Sequence, residues 1–327
     1  MPGDSAATPV TPPVPEAALA ETRAYLGSAA ALESIAADPY WPKWSSPWWR
    51  MTLLHELGLA REVPAAAVDA MVRALRTHYL PDFPLSIEDI PTGKDPQRHV
   101  ACHCAVGTIW QVLAACGVDV DAELPWIRPW LLRYQLEDGG LNCDEAAYTR
   151  ARPRSSIVST LPPLEAMLRG TRRPLTQEEA RFLDQGARYV LDRRLCRSTS
   201  RGGALMDPAF LEPCFPRFYD YDVLRGLTFV LEWAEAREAP IPRAAIAETL
   251  EGLEARASRP GGMPVARRAF DGARTVRRDA SGDWTVREAA ATFPLLEAVS
   301  AIGAPSPSLD REWREAKARL ARVQLSP

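Results

Sequence analysis

The sequence predicts an all-α protein with one large domain of inner and outer helices. Apolar residues recur at three- and four-residue spacing in one segment after another, and no comparable stretch alternates apolar and polar residues as a strand does. Some of these segments are apolar on most faces and others on one face only, which indicates buried helices covered by outer ones. A chain of 327 residues is long enough for one such domain.

The elements follow one another from the amino-terminal end. Residues 1–16 contain five prolines among small residues, so we expect a disordered tail followed by a single domain over residues 17–327. The periodicity predicts helices at residues 16–26, 47–57, 65–79, 102–116, 126–134, 155–168, 177–191, 222–236, 242–255, 285–302 and 310–320.

Residues at the segment ends agree with these boundaries. Gly58 and Gly117 follow predicted helices, where glycine readily adopts the positive φ of a helix end. Thr176 and Ser308 precede predicted helices and offer side-chain oxygens to free N–H groups.

The charge content of the segments predicts their layer. Helices 102–116 and 155–168 carry few charges and are expected to be inner, whereas helices 177–191 and 310–320 are amphipathic and are expected to cover a surface. Alternating inner and outer helices form a closed α/α toroid or, if some are missing, an incomplete barrel.

Four segments resemble a known superfamily. Residues 134–143, Tyr-Gln-Leu-Glu-Asp-Gly-Gly-Leu-Asn-Cys, resemble the Gln-x-x-Asp-Gly-Gly-Trp turn repeated in squalene-hopene cyclases and in the β subunits of protein prenyltransferases. Residues 156–166 resemble the inner helix that follows this turn, and residues 281–284 resemble a worn last copy. Residues 215–225 are similar to a segment of uncharacterised bacterial members. The resemblance spans residues 40–300 and implies the α/α toroid fold of terpenoid cyclases and prenyltransferases.

The departures from these families weigh against carrying over their activities. Class II terpene cyclases protonate their substrate with Asp-x-Asp-Asp, but here Asp119-Val-Asp121 is followed by Ala122, and Asp121 is also explained as a helix cap. Protein prenyltransferases bind zinc through an Asp-x-Cys pair and a distant histidine. Here Asp144 directly follows a cysteine, and no histidine follows His103.

Metal-capable side chains concentrate in residues 99–104 and in the loop after the Gly-Gly turn. In a helix that starts at residue 98, His99, Cys102 and His103 lie on one face at spacings of three and four, whereas Cys104 turns about 100° away and packs in the core. We expect zinc to bind His99, His103 and Cys143, with a fourth position open. The alternative is that the cysteines are core residues and that the histidines are hydrogen-bonded.

The same region holds the candidate catalytic residues. His103 is a candidate for proton transfer or metal-assisted chemistry. Asp144 and Glu145 follow the Gly-Gly turn, where a partly desolvated carboxyl can have a raised pKa and act as a general acid. The alternative interpretation makes Asp144 an ordinary helix cap.

Aromatic residues are the third signal. Five aromatic rings fall within the ten positions that end at Trp49, and two more lie near residue 220. Such rings can hold an apolar chain or stabilise a cation, so we expect Trp48, Trp49, Tyr219, Tyr221 and Asp222 to bind the substrate. Alternatively, the tryptophans fill gaps between large helices, and Asp222 caps a helix.

Composition limits the class of function. Lys and Arg number 39 and Asp and Glu 42, with no basic stripe of the kind that binds nucleic acid. No signal peptide or long apolar run is present, so we expect a cytoplasmic protein with reduced cysteines and no membrane span.

The leading hypothesis is an enzyme that acts on an apolar or isoprenoid-like small molecule by acid catalysis or zinc-assisted activation. The alternatives are a non-catalytic toroid that binds a lipid or a peptide partner, and a carbohydrate-active α/α-barrel enzyme.

Overall fold

The computed structural model describes residues 14–78, 102–144, 147–270, 274–278, 284–289 and 291–327. This part of the chain is mostly helical, which confirms the all-α prediction in its main content. Its helices are α1 (Glu16–Leu26), α2 (Ala29–Ala37), α3 (Pro47–Glu56), α4 (Ala65–His78), α5 (His103–Cys116), α6 (Val120–Glu123), α7 (Ile127–Arg133), α8 (Ile157–Gly170), α9 (Gln177–Asp192), α10 (Val223–Arg237), α11 (Arg243–Ala257), α12 (Pro294–Val299) and α13 (Pro307–Leu320). The tail prediction concerns residues that lie almost entirely outside this part.

Short strands accompany the helices. β1 (Ile241–Pro242) pairs in parallel with β4 (Leu325–Ser326), and β2 (Arg274–Arg278) pairs with β3 (Trp284–Ala289) in an antiparallel hairpin. The predicted helix at residues 285–302 is therefore wrong over its first part. Residues 284–286, Trp-Thr-Val, are strand formers with a pairing partner close by in sequence, and α12 starts only at Pro294, which suits a first helical position.

The helix ends show how the sequence sets each boundary. Thr176 and Glu179 form a reciprocal capping box at the start of α9, as the residue types predict. Gly117 ends α5 with a φ of 102°, in the left-handed region that glycine tolerates. The cap of α13 is Ser306 and not Ser308, because Pro307 already occupies the first helical position.

Helices α5 and α8 lie in close contact. The Cα of Gly107 approaches the backbone of Pro162 and Pro163 so closely that a Cβ there would meet it at 2.3–2.7 Å. One turn further along, the Gln111 amide donates to the Pro162 carbonyl at 3.1 Å and to Glu165 at 3.3 Å. Both helices therefore run in the same direction, and glycine allows their backbones to meet.

Helix α10 lies beside α8 and also runs parallel to it. Glu165 of α8 pairs with Arg225 of α10 at 2.6 Å, and one turn later Arg169 pairs with Glu232 at 2.7 Å. Arg319 of α13 also reaches Glu232, at 3.3 Å, which places α13 on the other side of α10. Charged side chains thus connect helices that are far apart in sequence.

The remaining helices cover this inner group. α9 packs on α8 and α10, α11 packs on α9 and α10, α7 contacts α5 and α9, and α1 contacts α2, α3 and α12. A continuous set of buried apolar side chains fills the space between the layers. Among the helices described, none combines the length and the apolar character needed to cross a bilayer.

Candidate metal centre and central cavity

Three cysteine thiols come together at the start of α5. The Sγ atoms of Cys102, Cys104 and Cys143 all lie within 4.8 Å of one another, and Cys104 Sγ is 3.5 Å from each of the other two. In a tetrahedral zinc site with Zn–S bonds of about 2.3 Å, neighbouring sulfurs are about 3.8 Å apart. The three thiols can therefore hold a metal ion of this size.

The start of α5 explains why Cys104 belongs to this group. Cys102 is the N-cap and has extended backbone angles, φ −93° and ψ 147°, and the helix begins only at His103. Because extended backbone places alternate residues on the same side, Cys102 and Cys104 point together and His103 points elsewhere. The prediction that Cys104 packs away from the site is wrong, since it assumed a helix from residue 98.

The Gly-Gly turn positions the third thiol. Backbone hydrogen bonds hold the loop to the first turn of α8, with the Leu141 N–H donating to Thr160 Oγ1 at 2.8 Å and the Cys143 N–H donating to Ser159 Oγ at 3.1 Å. The N–H of Cys104 in turn donates to Cys143 Sγ at 3.4 Å. The loop that sequence analysis selected thus does supply one of the three thiols, Cys143.

The three thiols interact strongly with one another. Hydrogen bonds from Cys102 and Cys104 lower the pKa of Cys143, and burial opposes this effect. The hydrogen bonds with Cys102 and Cys143 raise the pKa of Cys104. The hydrogen bonds within the group therefore favour the thiolate form at Cys143, the thiol that also accepts a backbone N–H.

His103 lies outside the three-thiol group. It is fully buried, its Nε2 is 2.9 Å from Tyr148 Oη, and its ring centroid is 4.3 Å from that of Trp130. Burial lowers the pKa of His103 to about 4, so its ring is neutral at pH 7. This arrangement does not support a shared zinc site of His103 and Cys143. The other predicted histidine ligand, His99, lies outside the described residues.

The predicted general acid Asp144 has no desolvated environment in this structure. Asp144 is exposed and pairs with the exposed Arg150 at 3.5 Å. A carboxyl in contact with water lacks the burial that the proposed acid role requires. Glu145 lies outside the described residues.

A lysine lies beside the thiols in an aromatic setting. Lys43 Nζ donates to Tyr219 Oη at 2.9 Å, and no described carboxylate pairs with it. Burial lowers the pKa of Lys43, while the charges of the three cysteines raise it, which places the ammonium within electrostatic reach of the thiols. Its Nζ lies 4.9–5.8 Å from the ring centroids of Tyr40, Trp41, Trp44 and Tyr219.

The aromatic residues divide into core and site. Trp48 and Trp49 are buried, and Trp49 packs edge-on against Phe218 at 5.1 Å. Both tryptophans are core residues in this conformation, which agrees with the alternative interpretation that they fill gaps between large helices. Tyr219 is partly exposed; burial raises its pKa and the charges of the cysteines add to this effect, which places its hydroxyl within electrostatic reach of the thiols.

Tyr221 and Asp222 hold the backbone in place. The Tyr221 hydroxyl donates to the Leu195 carbonyl at 2.6 Å. Asp222 is completely buried, caps α10 by accepting the Arg225 N–H at 2.9 Å, and pairs with Arg217 at 2.7 Å. Both side chains therefore have structural partners, in agreement with the cap interpretation of Asp222.

Sequence analysis missed a polar cavity of about 240 Å³ between the inner helices. Helices α3, α5, α8, α10 and α13 each line it with polar residues three or four positions apart, such as Thr52 and His55 on α3. The available signal was a charged residue, Glu165, in an otherwise apolar inner helix. Helix α13, expected to cover a surface, also contributes a polar face to this cavity.

Comparisons of the chain with protein-family models, curated proteins and solved structures find no match. The resemblance to the toroid superfamily therefore rests on the quoted sequence segments alone, and function has to be inferred from the geometry of the thiols and of the cavity.

Proposed function

We propose that this chain is a zinc-dependent enzyme in which Cys102, Cys104 and Cys143 hold the ion and the fourth coordination position receives the substrate. The observation that carries the proposal is the group of three Sγ atoms within 4.8 Å of one another. Catalytic zinc sites use three protein ligands and an open position, whereas structural sites use four. Cys102 and Cys143 are partly exposed, so a substrate can approach them.

The proposed architecture is an α/α toroid, open or closed. Its support is the set of inner helices that run parallel, α5, α8 and α10, and the outer helices that cover them. In such a fold the amino-terminal ends of the inner helices face one mouth. The thiols lie at the start of α5 and next to the start of α8, and this position supports a site at that mouth.

Charge favours zinc over other soft metals. Thiolate ligands select zinc, copper(I) or iron–sulfur clusters. A Zn²⁺ ion with three thiolates carries a net charge of −1, and Lys43 supplies one positive charge beside it. A copper(I) ion in the same site has a net charge of −2, which one lysine leaves uncompensated.

A zinc ion held by Cys102, Cys104 and Cys143 would act as a Lewis acid and would favour the deprotonated, nucleophilic form of a substrate thiol. The protein positions the reactants around it. Lys43 and Tyr219 present a hydrogen-bonding pair to a polar group of the substrate, and the ring of Tyr219 offers an apolar surface to the rest of it. We therefore infer an apolar small molecule with a polar or thiol end as the substrate.

Elemental analysis of the purified protein tests the metal centre. We expect one zinc ion per chain, and we expect Cys104→Ser and Cys143→Ser to lose it because two thiolates bind zinc far more weakly than three. Cys116→Ser is the matched control, since Cys116 lies on the same helix and donates instead to the Ala60 carbonyl. Circular dichroism confirms that each variant keeps its helices. Equal zinc content in all variants would contradict the proposal.

A cobalt(II)-substituted protein tests the open position. If the protein supplies three ligands, added 2-mercaptoethanol binds as the fourth and changes the visible absorption of cobalt. A site completed by a fourth protein ligand does not respond to the thiol, and that result would make the centre structural.

A further inference from the structure

We propose that the cavity between the inner helices is a second binding site, and that it takes a small uncharged polyhydroxylated molecule, a sugar or a polyol. The cavity is built from residues other than the three thiols, so this inference does not depend on the zinc centre. Its basis is the combination of a small volume, internally paired charges and an imidazole without a partner.

The volume suits a small metabolite. The cavity measures about 240 Å³. Pockets for drug-sized ligands start at about 300 Å³, and one water takes up about 30 Å³ in the liquid. The cavity therefore has room for about eight waters or for one compact molecule in their place.

The buried arginines of the cavity are paired with carboxylates, whereas Arg311 and Glu315, which also line it, are exposed. Arg217 and Arg225 are buried, and each is in contact with carboxylates that hold it in place. A charged ligand would have to break one of these pairs and leave a buried charge without a partner, which is costly. An uncharged ligand leaves all of them intact. The pairs are Arg217 with Asp222 at 2.7 Å and with Glu312 at 2.6 Å, Arg225 with Glu165 at 2.6 Å, and Arg169 with Glu232 at 2.7 Å.

Paired charges still offer hydrogen bonds. A carboxylate has about four acceptor positions and a guanidinium five donors, so each pair keeps some of them free for a ligand. Thr52, Thr108 and Thr228 add hydroxyls from three different helices; each hydroxyl donates to a protein oxygen and keeps its acceptor positions for a ligand. A polyol suits such a surface because each of its hydroxyls both donates and accepts. An apolar ligand would displace the water that hydrogen-bonds to these groups and would form no hydrogen bonds in its place.

His55 is the polar group that lacks a partner. Its ring lines the cavity, and no described residue forms a hydrogen bond with it. Burial lowers the pKa of His55 to about 4, and the charge of Arg169 adds to the effect. The neutral ring has one donor and one acceptor nitrogen, which match two hydroxyls of a polyol. His55 is half-buried and faces the cavity, so its nitrogens are open to the hydroxyls of a ligand.

Glu56 follows His55 and fixes the wall beside it. Its carboxylate accepts the backbone N–H groups of Arg217, at 2.7 Å, and of Phe218. These bonds join α3 to the loop before α10 and keep the end of α3 in position. The site is therefore built before a ligand arrives, which reduces the entropy lost on binding.

Isothermal titration and saturation-transfer NMR on the full-length protein test the proposal. The uncharged probes are glucose, xylitol and myo-inositol, and the charged analogues of similar size are gluconate and glucosamine. We expect at least one uncharged probe to bind, and to bind at least about tenfold more tightly than both charged analogues. No binding of any uncharged probe, or tighter binding of a charged one, overturns the proposal.

Variants locate the binding in the cavity. Thr228→Val and His55→Phe should each weaken binding of the best probe by about tenfold, the effect of one lost hydrogen bond. Thr249→Val is the matched control, because Thr249 is equally buried on α11 and does not line the cavity. Unchanged affinity in Thr228→Val overturns the assignment. If a cavity variant does not fold, the NMR signals of the His55 ring are followed in the unaltered protein. Addition of the probe should shift these signals, and unchanged signals would refute the proposal.

The two proposals can fail separately. Cys143→Ser should lose zinc and keep its affinity for the polyol, whereas Thr228→Val should keep zinc and lose affinity. Loss of both properties in either variant shows that the two sites are one, which contradicts an independent second site.

Discussion

Replacing Gly107 with alanine should separate the two helices that carry the candidate metal centre. Gly107 lies in the middle of α5, and a Cβ there would be 2.3 Å from the Pro163 nitrogen and 2.4 Å from the Pro162 carbonyl carbon. Ordinary contacts of a Cβ lie at 3.4 Å or more. These neighbours are backbone atoms of a helix and cannot rotate away, so α5 and α8 must move apart by about 1 Å.

The expected loss follows from two opposing terms. Alanine is favoured over glycine in a helix by about 1 kcal/mol. Overpacking a well-packed core costs about 1–3 kcal/mol, and a clash with backbone belongs at or above the upper end. We therefore expect Gly107→Ala to lower the free energy of unfolding by about 2 kcal/mol. Zinc binding should weaken as well, because Cys104 moves with α5 while Ser159 of α8 holds Cys143.

Gly252→Ala is the control for the propensity term. Gly252 lies inside α11, and a Cβ there would meet nothing within 4 Å. This variant should gain about 0.5–1 kcal/mol, so the two substitutions have opposite signs. Urea unfolding of both variants measures the difference. If Gly107→Ala is as stable as Gly252→Ala, the helices are not in the close contact described.

Two further predictions concern the buried polar groups. Burial raises the pKa of Glu165, but the charges of Arg225 and Arg169 and their hydrogen bonds outweigh it and lower the pKa to about 2. A carboxyl with a lowered pKa stabilises the fold fully above its ordinary pKa and loses this contribution as the pH falls, here from about 4.5 towards 2, by about 3 kcal/mol in all. Urea unfolding between pH 7 and pH 2.5 should therefore show a steeper loss for the unaltered protein than for Glu165→Gln, and equal slopes would contradict the assignment. His103→Ala should keep its zinc and lower the unfolding free energy by about 3 kcal/mol, because the buried ring packs on Trp130. Metal analysis and thermal unfolding measure the two effects. Loss of zinc in this variant would show that His103 is a ligand.

Most helices could be predicted from the sequence because a helix is a local structure. Its apolar spacing, caps and end glycines lie within one segment, as the Thr176 box and Gly117 show. Helix α2 was not predicted, because only Ala31 and Ile35 of its nine residues are buried and the segment therefore shows little apolar periodicity. Residues 284–289 were mistaken for helix because their pairing with β2, and not their own pattern, makes them a strand.

By itself, the sequence determined the helical class, most helix boundaries and the two segments that form the candidate metal centre. Only the tertiary structure decided which side chains meet there. One residue at the start of α5, Cys102, is extended and not helical, and this turns Cys104 towards Cys143 and His103 into the core. The cavity was equally out of reach, since Thr52 and Glu312 lie near opposite ends of the chain and share a wall only after the helices pack. Local spacing records the conformation of one segment, whereas a site depends on the relative placement of several segments, which long-range packing sets.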